Sequence, residues 1–325
     1  MRYFLGVDVG GTKTQALIAD ESGCALALGE GGPGNHEEVG YAGLANAMRQ
    51  AVDQALAHAG LSIEQIAGAG FGVAGYDWPS EREPTLQAIA TLGLDAPVQA
   101  VNDALIGLLA GSAGGWGVAV VSGTGCNCWG WDRSRQRIGQ VTGSGLAMGE
   151  GAGGSEVVAK AVQAVAQAWT RRGPPTQLTE TLLKHTGSRD VEDLLEGLCT
   201  ARIWLDASVA PLVFEVATAG DKVAQSIIRW AGQELGELAN AVIRQLGFEA
   251  LEFDVVLVGS MYDAGPALIE PMRATIAALA PGARLVKLTY PPVVGAVLLG
   301  MEQAGVDAAG VRETLLRSAG GAVMM

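Results

Sequence analysis

A short apolar run that ends in a small, hydroxyl-rich glycine turn occurs twice in this chain, and it restricts the fold more than any other feature. Residues 3–9 (Y-F-L-G-V-D-V) break at Gly10-Gly11, the apolar pattern resumes from Thr14 to Ala19, and D-E-S-G (20–23) turns the chain again. W-G-V-A-V-V-S-G-T-G-C-N-C-W-G-W (116–131) repeats the arrangement, with D-R-S-R (132–135) as its next turn. Placing Gly10-Gly11 on Gly123-Thr124 brings the following turns close to register. Apolar runs this short, bounded by Gly, Asp and Ser, are strands. The first copy therefore predicts three strands joined by tight turns, and the pair predicts two copies of one unit.

Other segments alternate. Val39, Leu44, Ala47, Met48, Val52, Ala55 and Leu56 stand at helical spacing over 39–59, and G-A-G-F-G-V-A-G (68–75) is a buried strand ending in glycines. A helix from about Ser80 to Leu92, a strand Val98–Val101 and an apolar helix Ala104–Ala110 follow, with Asn102-Asp103 between the last two. Beyond the glycine-rich link 111–115 and the second meander, the spacing predicts helices over 155–170, 177–184, 190–198, 207–217 and 221–246. F-D-V-V-L-V-G-S (253–260) is a strand, followed by a helix near 265–279, a strand Arg284–Leu288 and a helix from about Val293 to Gln303. Meanders followed by alternating strands and helices predict an α/β fold with mixed sheets. The boundary is expected at 112/113, giving domains 1–112 and 113–325; with no low-complexity linker between them, they should share a cleft.

Composition narrows the function. Against 21 Lys and Arg stand 34 Asp and Glu, a net charge of −13, and no basic stripe interrupts the acidic balance, which argues against a nucleic-acid partner. Four cysteines without paired spacing do not make a disulfide scaffold and suit a reduced, cytoplasmic setting. M-R-Y-F-L-G-V-D does not read as a signal peptide, and no apolar run approaches the ~18 residues that cross a bilayer. The 47 glycines are about twice the usual share of ~7% and imply tight turns or close approach of backbone to a ligand.

G-V-D-V-G-G-T-K-T places the Asp8 carboxylate beside two glycines and the hydroxyls of Thr12 and Thr14. Backbone N–H groups in such a turn can approach a phosphate because no Cβ intervenes, and a carboxylate there can hold Mg²⁺ through water; the alternative is a hairpin that needs glycine for positive φ. V-V-S-G-T-G-C-N supplies a second loop, with Ser122, Gly123, Thr124, Gly125 and Asn127. Neither is a P-loop or a dinucleotide-binding fingerprint, which lead from a strand into a helix. Asp103 either caps the helix that follows it or acts as general base toward an attacking hydroxyl. Gly259-Ser260 closes an apolar strand, either as a plain turn or as a surface for a base or ribose.

In this order the segments resemble the sugar kinase, heat-shock protein 70 and actin ATPase superfamily, and within it the N-acetylglucosamine kinase group of the BadF/BadG/BcrA/BcrD-type ATPase family. G-V-D-V-G-G-T-K-T looks like the first phosphate motif, P-G-N-H (33–36) the sugar-contact loop, V-N-D-A the catalytic-aspartate segment, V-V-S-G-T-G-C-N-C the second phosphate motif and V-L-V-G-S the adenosine motif. The resemblance implies two ribonuclease-H-like, actin-like ATPase domains around a nucleotide cleft, and ATP-dependent phosphorylation of the primary hydroxyl of an amino sugar such as N-acetylglucosamine. It implies Asp103 as base and Asp8 on the Mg²⁺ side. Gly10, Gly11, Thr12, Lys13 and Thr14, then Ser122, Gly123, Thr124 and Gly125, and finally Gly259 and Ser260, would line ATP. Asn35, His36, Gly75, Asp103, Asn127, Gly145 and Glu150 would meet the sugar. A cytoplasmic homodimer is the implied assembly.

One segment departs from the pattern. Where the group has G-G-W-G and then G-D-E-G-S, this chain has T-G-S-G-L-A-M-G-E-G-A-G (142–153), with Glu150 in place of Asp and Ser144 in place of the aromatic, which leaves the sugar's identity open. Two other classes compete. An ATPase that activates a partner enzyme through an iron-sulfur cluster would need accessible thiolates, and Cys126-x-Cys128 lies inside the predicted hairpin while Cys24 and Cys199 stand alone. A non-catalytic sugar or ATP sensor is the other. Trp129 and Trp131 read as packing residues, and His58 and His185 as solvated or capping.

Overall fold

The computed structural model describes residues 1–322. β1 (Tyr3–Val9), β2 (Thr14–Asp20) and β3 (Ala25–Gly31) form an antiparallel meander, followed by α1 (His36–Ala59), β4 (Ile66–Val73), α2 (Arg82–Ala90) and β5 (Val98–Asn102). β4 and β5 add to β1 in parallel, giving the order β3-β2-β1-β4-β5. Leu5, Val7 and Val9 of β1 face Leu44, Met48 and Val52 of α1, so the heptad-like spacing of α1 is its buried stripe. Asn35 caps α1 by accepting from the Glu37 N–H, and Gly40 (φ 68°) kinks the helix after its first turn.

After α3 (Asp103–Gly111) the plan repeats. β6 (Gly117–Ser122), β7 (Cys126–Trp131) and β8 (Ile138–Val141) form the second meander. The chain then runs through α4 (Gly154–Trp169), α5 (Leu178–Thr186), α6 (Val191–Cys199), α7 (Ala210–Thr218) and α8 (Lys222–Leu246) before β9 (Phe253–Val258), α9 (Pro266–Leu279) and β10 (Ala283–Lys287). β9 and β10 join β6 in parallel, and the sheet reads β10-β9-β6-β7-β8, the strand order of the first sheet traversed from the other edge. The recurrence in the sequence thus corresponds to two sheets of one topology. Asp221, accepting from the Val223 and Ala224 N–H groups, starts α8, whose buried stripe includes Ile228, Leu235, Val242 and Ile243.

α10 (Val293–Gln303) and α11 (Ala308–Ala322) return to the first sheet. Val293, Val294, Val297 and Met301 pack on Phe4, Leu17 and Ala19, and Leu315 and Leu316 join that cluster. The expected division into 1–112 and 113–325 follows the order of the sheets along the chain, whereas packing puts 293–322 with the first sheet. α11 is an element that the sequence reading left out, because its three glycines (Gly310, Gly320, Gly321) blur its apolar stripe. α3 and α10 fill the space between the sheets. Leu105 and Leu109 of α3 meet Ala119, Trp129, Val256 and Val258 of the second sheet, together with Ala296 and Leu299 of α10. Gly295 lets the two helices touch, since a Cβ there would strike the Ile106 carbonyl oxygen.

Candidate active site

Parallel strands in adjacent register bring their C-terminal ends to one edge. Val9 pairs Val73, and Val73 pairs Asn102, so Asp8, the β4 exit carrying Asp77, and Asp103 converge there. Asn102 is the N-cap of α3: its Oδ1 accepts from the Ala104 N–H at 2.9 Å. The N-cap position thus belongs to Asn102, and Asp103 opens the helix, its carboxylate accepting from Asn127 Nδ2 of the second sheet at 3.3 Å. The other Asn102 atom, Nδ2, donates to Asp77 Oδ1 at 2.9 Å.

Three half-buried carboxyl groups at one strand edge resist ionising together. Burial, then the charge of Asp103, pushes Asp8 up to about 7, with Lys13 opposing. Burial also raises Asp103, against the Asn127 amide and the N–H groups at the start of α3. Asp77 is pushed up to about 7 by burial, then by Asp103, Glu37, Glu81 and Glu150. Such an excess of negative charge fits a divalent cation. Among the described residues no three His, Cys, Asp or Glu side chains gather at metal-binding distance, and one or two carboxylates with water and phosphate oxygens are what Mg²⁺ takes.

The loop before α1 forms one wall. Asn35 is committed to capping, its Oδ1 on the Glu37 N–H at 3.1 Å and its Nδ2 on Glu37 Oε2 at 3.2 Å. Gly75 (φ 76°) backs onto it, and a Cβ there would strike Asn35 Oδ1. His36 stacks on Tyr41 at 4.6 Å and lies 3.6 Å from Glu81, with its Nδ1 buried and unpartnered. Glu81 also accepts from the Asp77 and Trp78 N–H groups at 2.8 Å. Opposite, Glu150 Oε2 accepts from the N–H groups of Gly143 (2.8 Å) and Ser144 (3.0 Å) and from Thr142 Oγ1 (3.3 Å), so the longer acid draws its own loop closed. Gly145 (φ 81°) lies in that loop. The Asn127 Oδ1 atom is buried without a partner, an acceptor free for a ligand donor.

The two glycine turns differ in length but share an open face. Gly10 N–H bonds the Lys13 carbonyl, and Gly123 N–H bonds the Gly125 carbonyl. A Cβ added at Gly11, Gly123 or Gly125 would meet nothing within 4 Å, and none of the three has positive φ. Neither packing nor backbone conformation demands glycine at these positions, which fits space kept clear for a phosphate chain. Thr12 and Thr124 are exposed beside it. Thr14 and Ser122, by contrast, are buried and donate to the carbonyls of Gly32 and Ala152, so their hydroxyls brace the turns. Lys13 extends to Glu30 at 3.3 Å. Gly154 and Ser155, at the start of α4, donate to the carbonyls of Gly123 and Thr124 and hold the second turn. Gly259 (φ 112°) packs on the Ser122 carbonyl, and with Ser260 it opens onto a cleft of about 530 Å³ lined by Thr124, Ala207, Pro211, Phe214 and Met261.

Sequence reasoning passed over Asp77, Asn102 and Glu81. An acidic residue just beyond a strand end, as in G-Y-D-W, was the available signal for Asp77. Trp129 and Trp131 are buried in packing as expected, and His58 and His185 are exposed.

Known proteins resemble this chain in sequence and fold. The chain is 27% identical over 311 residues to N-acetyl-D-glucosamine kinase of Dictyostelium discoideum, covering 92% of this chain and 97% of that one. It is 25% identical over 305 residues to N-acetylmuramic acid/N-acetylglucosamine kinase of Clostridium acetobutylicum, covering 93% and 99%. A solved structure of a candidate N-acetylglucosamine kinase from Chromobacterium violaceum superposes with a TM-score of 0.70 at 26% identity, over 92% of this chain and 99% of that one. The two mixed sheets are those of the actin-like ATPase fold of the sugar kinases. With residues 5–300 matching its model, the chain belongs to the BadF/BadG/BcrA/BcrD ATPase family.

Proposed function

We propose that this protein transfers the γ-phosphoryl group of ATP to the primary hydroxyl of an amino sugar, with N-acetylglucosamine as the leading substrate. The observation that carries the reading is Asp103: half-buried, next to the Asn102 that caps α3, hydrogen-bonded by Asn127, and set at the strand edge that also carries Asp8. Burial gives it the basicity to take a hydroxyl proton as the oxygen attacks. The open glycine turns would bind the phosphates through backbone N–H groups, and the cleft beyond Gly259 would take the adenosine. Asp8 would hold Mg²⁺, which neutralises phosphate charge when bound. Asn127 and the Glu150 loop would orient the sugar, since positioning supplies much of the rate in phosphoryl transfer. We further propose a cytoplasmic homodimer, a setting supported by four free cysteines. The partner-activation reading loses support: burial pushes the Cys126 thiol up to about 11 and the Cys128 thiol well above its ordinary value, away from thiolate chemistry.

A coupled ADP-release assay with Mg²⁺-ATP and a panel of N-acetylglucosamine, glucosamine, N-acetylmannosamine, N-acetylmuramic acid and glucose tests this. Sugar-dependent release is expected, and Asp103→Asn should lower it by about 10²–10⁴-fold while nucleotide binding persists. A variant that turned over at the parental rate would remove Asp103 from the chemistry, and flat rates across the panel would remove the reaction.

A further inference from the structure

The hydrogen bonds around Asp77 form a chain that ends at the start of α3. The Asp77 N–H donates to Glu81 Oε2 at 2.8 Å, and the Asp77 carbonyl accepts from Gln140 Nε2 of the second sheet at 3.2 Å. The backbone of this residue is thus held from both halves of the molecule. Its side chain faces Asn102, which is 2% exposed: Asp77 Oδ1 accepts from Asn102 Nδ2 at 2.9 Å, and Asn102 Oδ1 accepts from the Ala104 N–H at 2.9 Å. We propose that Asp77 is a positioning residue, which fixes the way round that the Asn102 amide lies and so holds the first turn of α3, the turn that carries Asp103. The proposal rests on the reading of Asp103 as the base.

An amide caps a helix only with its oxygen toward the N–H groups. Turned over, Asn102 would set its NH₂ against the Ala104 N–H, donor against donor, and its oxygen against the Asp77 carboxylate, acceptor against acceptor. Asp77 therefore selects the capping orientation from the far side of the amide. The bond does not depend on the charge of Asp77, whose carboxyl is pushed up to about 7, because a protonated carboxyl keeps an acceptor oxygen for Nδ2. The Tyr76 carbonyl also faces Nδ2, but at 3.4 Å it lies beyond the usual range.

Burial makes this choice consequential. Asn102 has little access to water, so a misplaced amide would leave polar groups unpaired. Asp103 follows it directly and must keep one placement to meet both Asn127 and an attacking hydroxyl. A shift of about 1 Å in a reacting group can cost about 10²-fold in rate.

Amide hydrogen exchange of the full chain, beside steady-state kinetics with Mg²⁺-ATP and N-acetylglucosamine, tests the proposal. Asp77→Ala should lower kcat about 10–10²-fold with the KM for ATP unchanged. It should also speed exchange of the Ala104 amide about fivefold or more, as loss of a cap does. Asp77→Asn keeps an oxygen for Asn102 Nδ2, and should restore slow exchange and bring kcat to within about threefold of the parent. Because Asp77 acts through Asn102, the double variant Asp77→Ala/Asn102→Ala should turn over no more slowly than Asn102→Ala alone. Parental kcat in Asp77→Ala, or losses that multiply in the double variant, would overturn the proposal. So would a raised KM for the sugar with unchanged exchange, which would set Asp77 against the substrate instead. If Asp77→Ala does not fold, Asp77→Ser, whose hydroxyl stops a bond short of Oδ1, takes its place. A parent without sugar-dependent ADP release would remove the kinase reading, and exchange at Ala104 would then decide whether Asp77 holds the helix start.

Discussion

Asp8 and Asp77 give the molecule a pH signature at the scale of single residues. Their carboxyls sit at about 7 in the fold, against ~3.9 in an unfolded chain. A carboxyl raised by folding stabilises in its protonated form, so the contribution is complete below about pH 4 and is lost as pH climbs through 7. Thermal unfolding of the ligand-free protein should accordingly fall between pH 5.5 and pH 8. Asp8→Asn should flatten that decline, adding on the order of 2 kcal/mol more at pH 8 than at pH 5.5. An unchanged slope would show that Asp8 ionises normally. Asp8 and Asp103 could be picked out in the sequence because each stands at a strand end beside a glycine turn or a helix start. Asp77 and Asn102 could not, since their importance lies in a bond between two strand exits about 25 residues apart in sequence.

At the scale of elements, the glycines separate into two kinds. Gly11 and Gly125 are open and have no positive φ, whereas Gly259 (φ 112°) and Gly295 are hemmed in by the carbonyls of Ser122 and Ile106. Gly125→Ala should leave folding stability unchanged or raise it by up to about 1 kcal/mol, while raising the KM for ATP. Gly295→Ala should destabilise by about 1–3 kcal/mol, because helices α3 and α10 must separate. Chemical denaturation beside ATP kinetics would check both, and equal stability losses would contradict the distinction. The sequence showed both glycine turns without showing which glycines serve backbone, packing or ligand. Boundaries slipped for similar reasons: the strand expected over 253–260 ends at Val258, where Gly259 takes a conformation closed to other residues, and the helix expected from residue 39 begins at His36 because Asn35 caps it.

For the whole molecule, the decisive feature is the return of the C-terminus to the first sheet. Val293, Val297 and Met301 cover a face of β1 and β2 that would otherwise lie open, with Phe4 and Leu17 upon it. A chain cut after Leu288 should therefore fail to fold as a soluble monomer, even though both sheets would keep every strand. Expression and circular dichroism of that fragment would check it, and a cooperative native-like fold would refute it. What the sequence determined by itself were the local units: the paired meanders, the glycine turns, the apolar stripes of α1 and α8, and so the α/β class. These follow from short-range periodicity and turn chemistry, which act within a few residues. Only the tertiary structure decided that α10 and α11 cover the first sheet, that Asn102 caps the helix Asp103 opens, and that Glu150 closes its own loop. Those outcomes rest on contacts between distant segments, where burial and the pairing of polar groups select the partner.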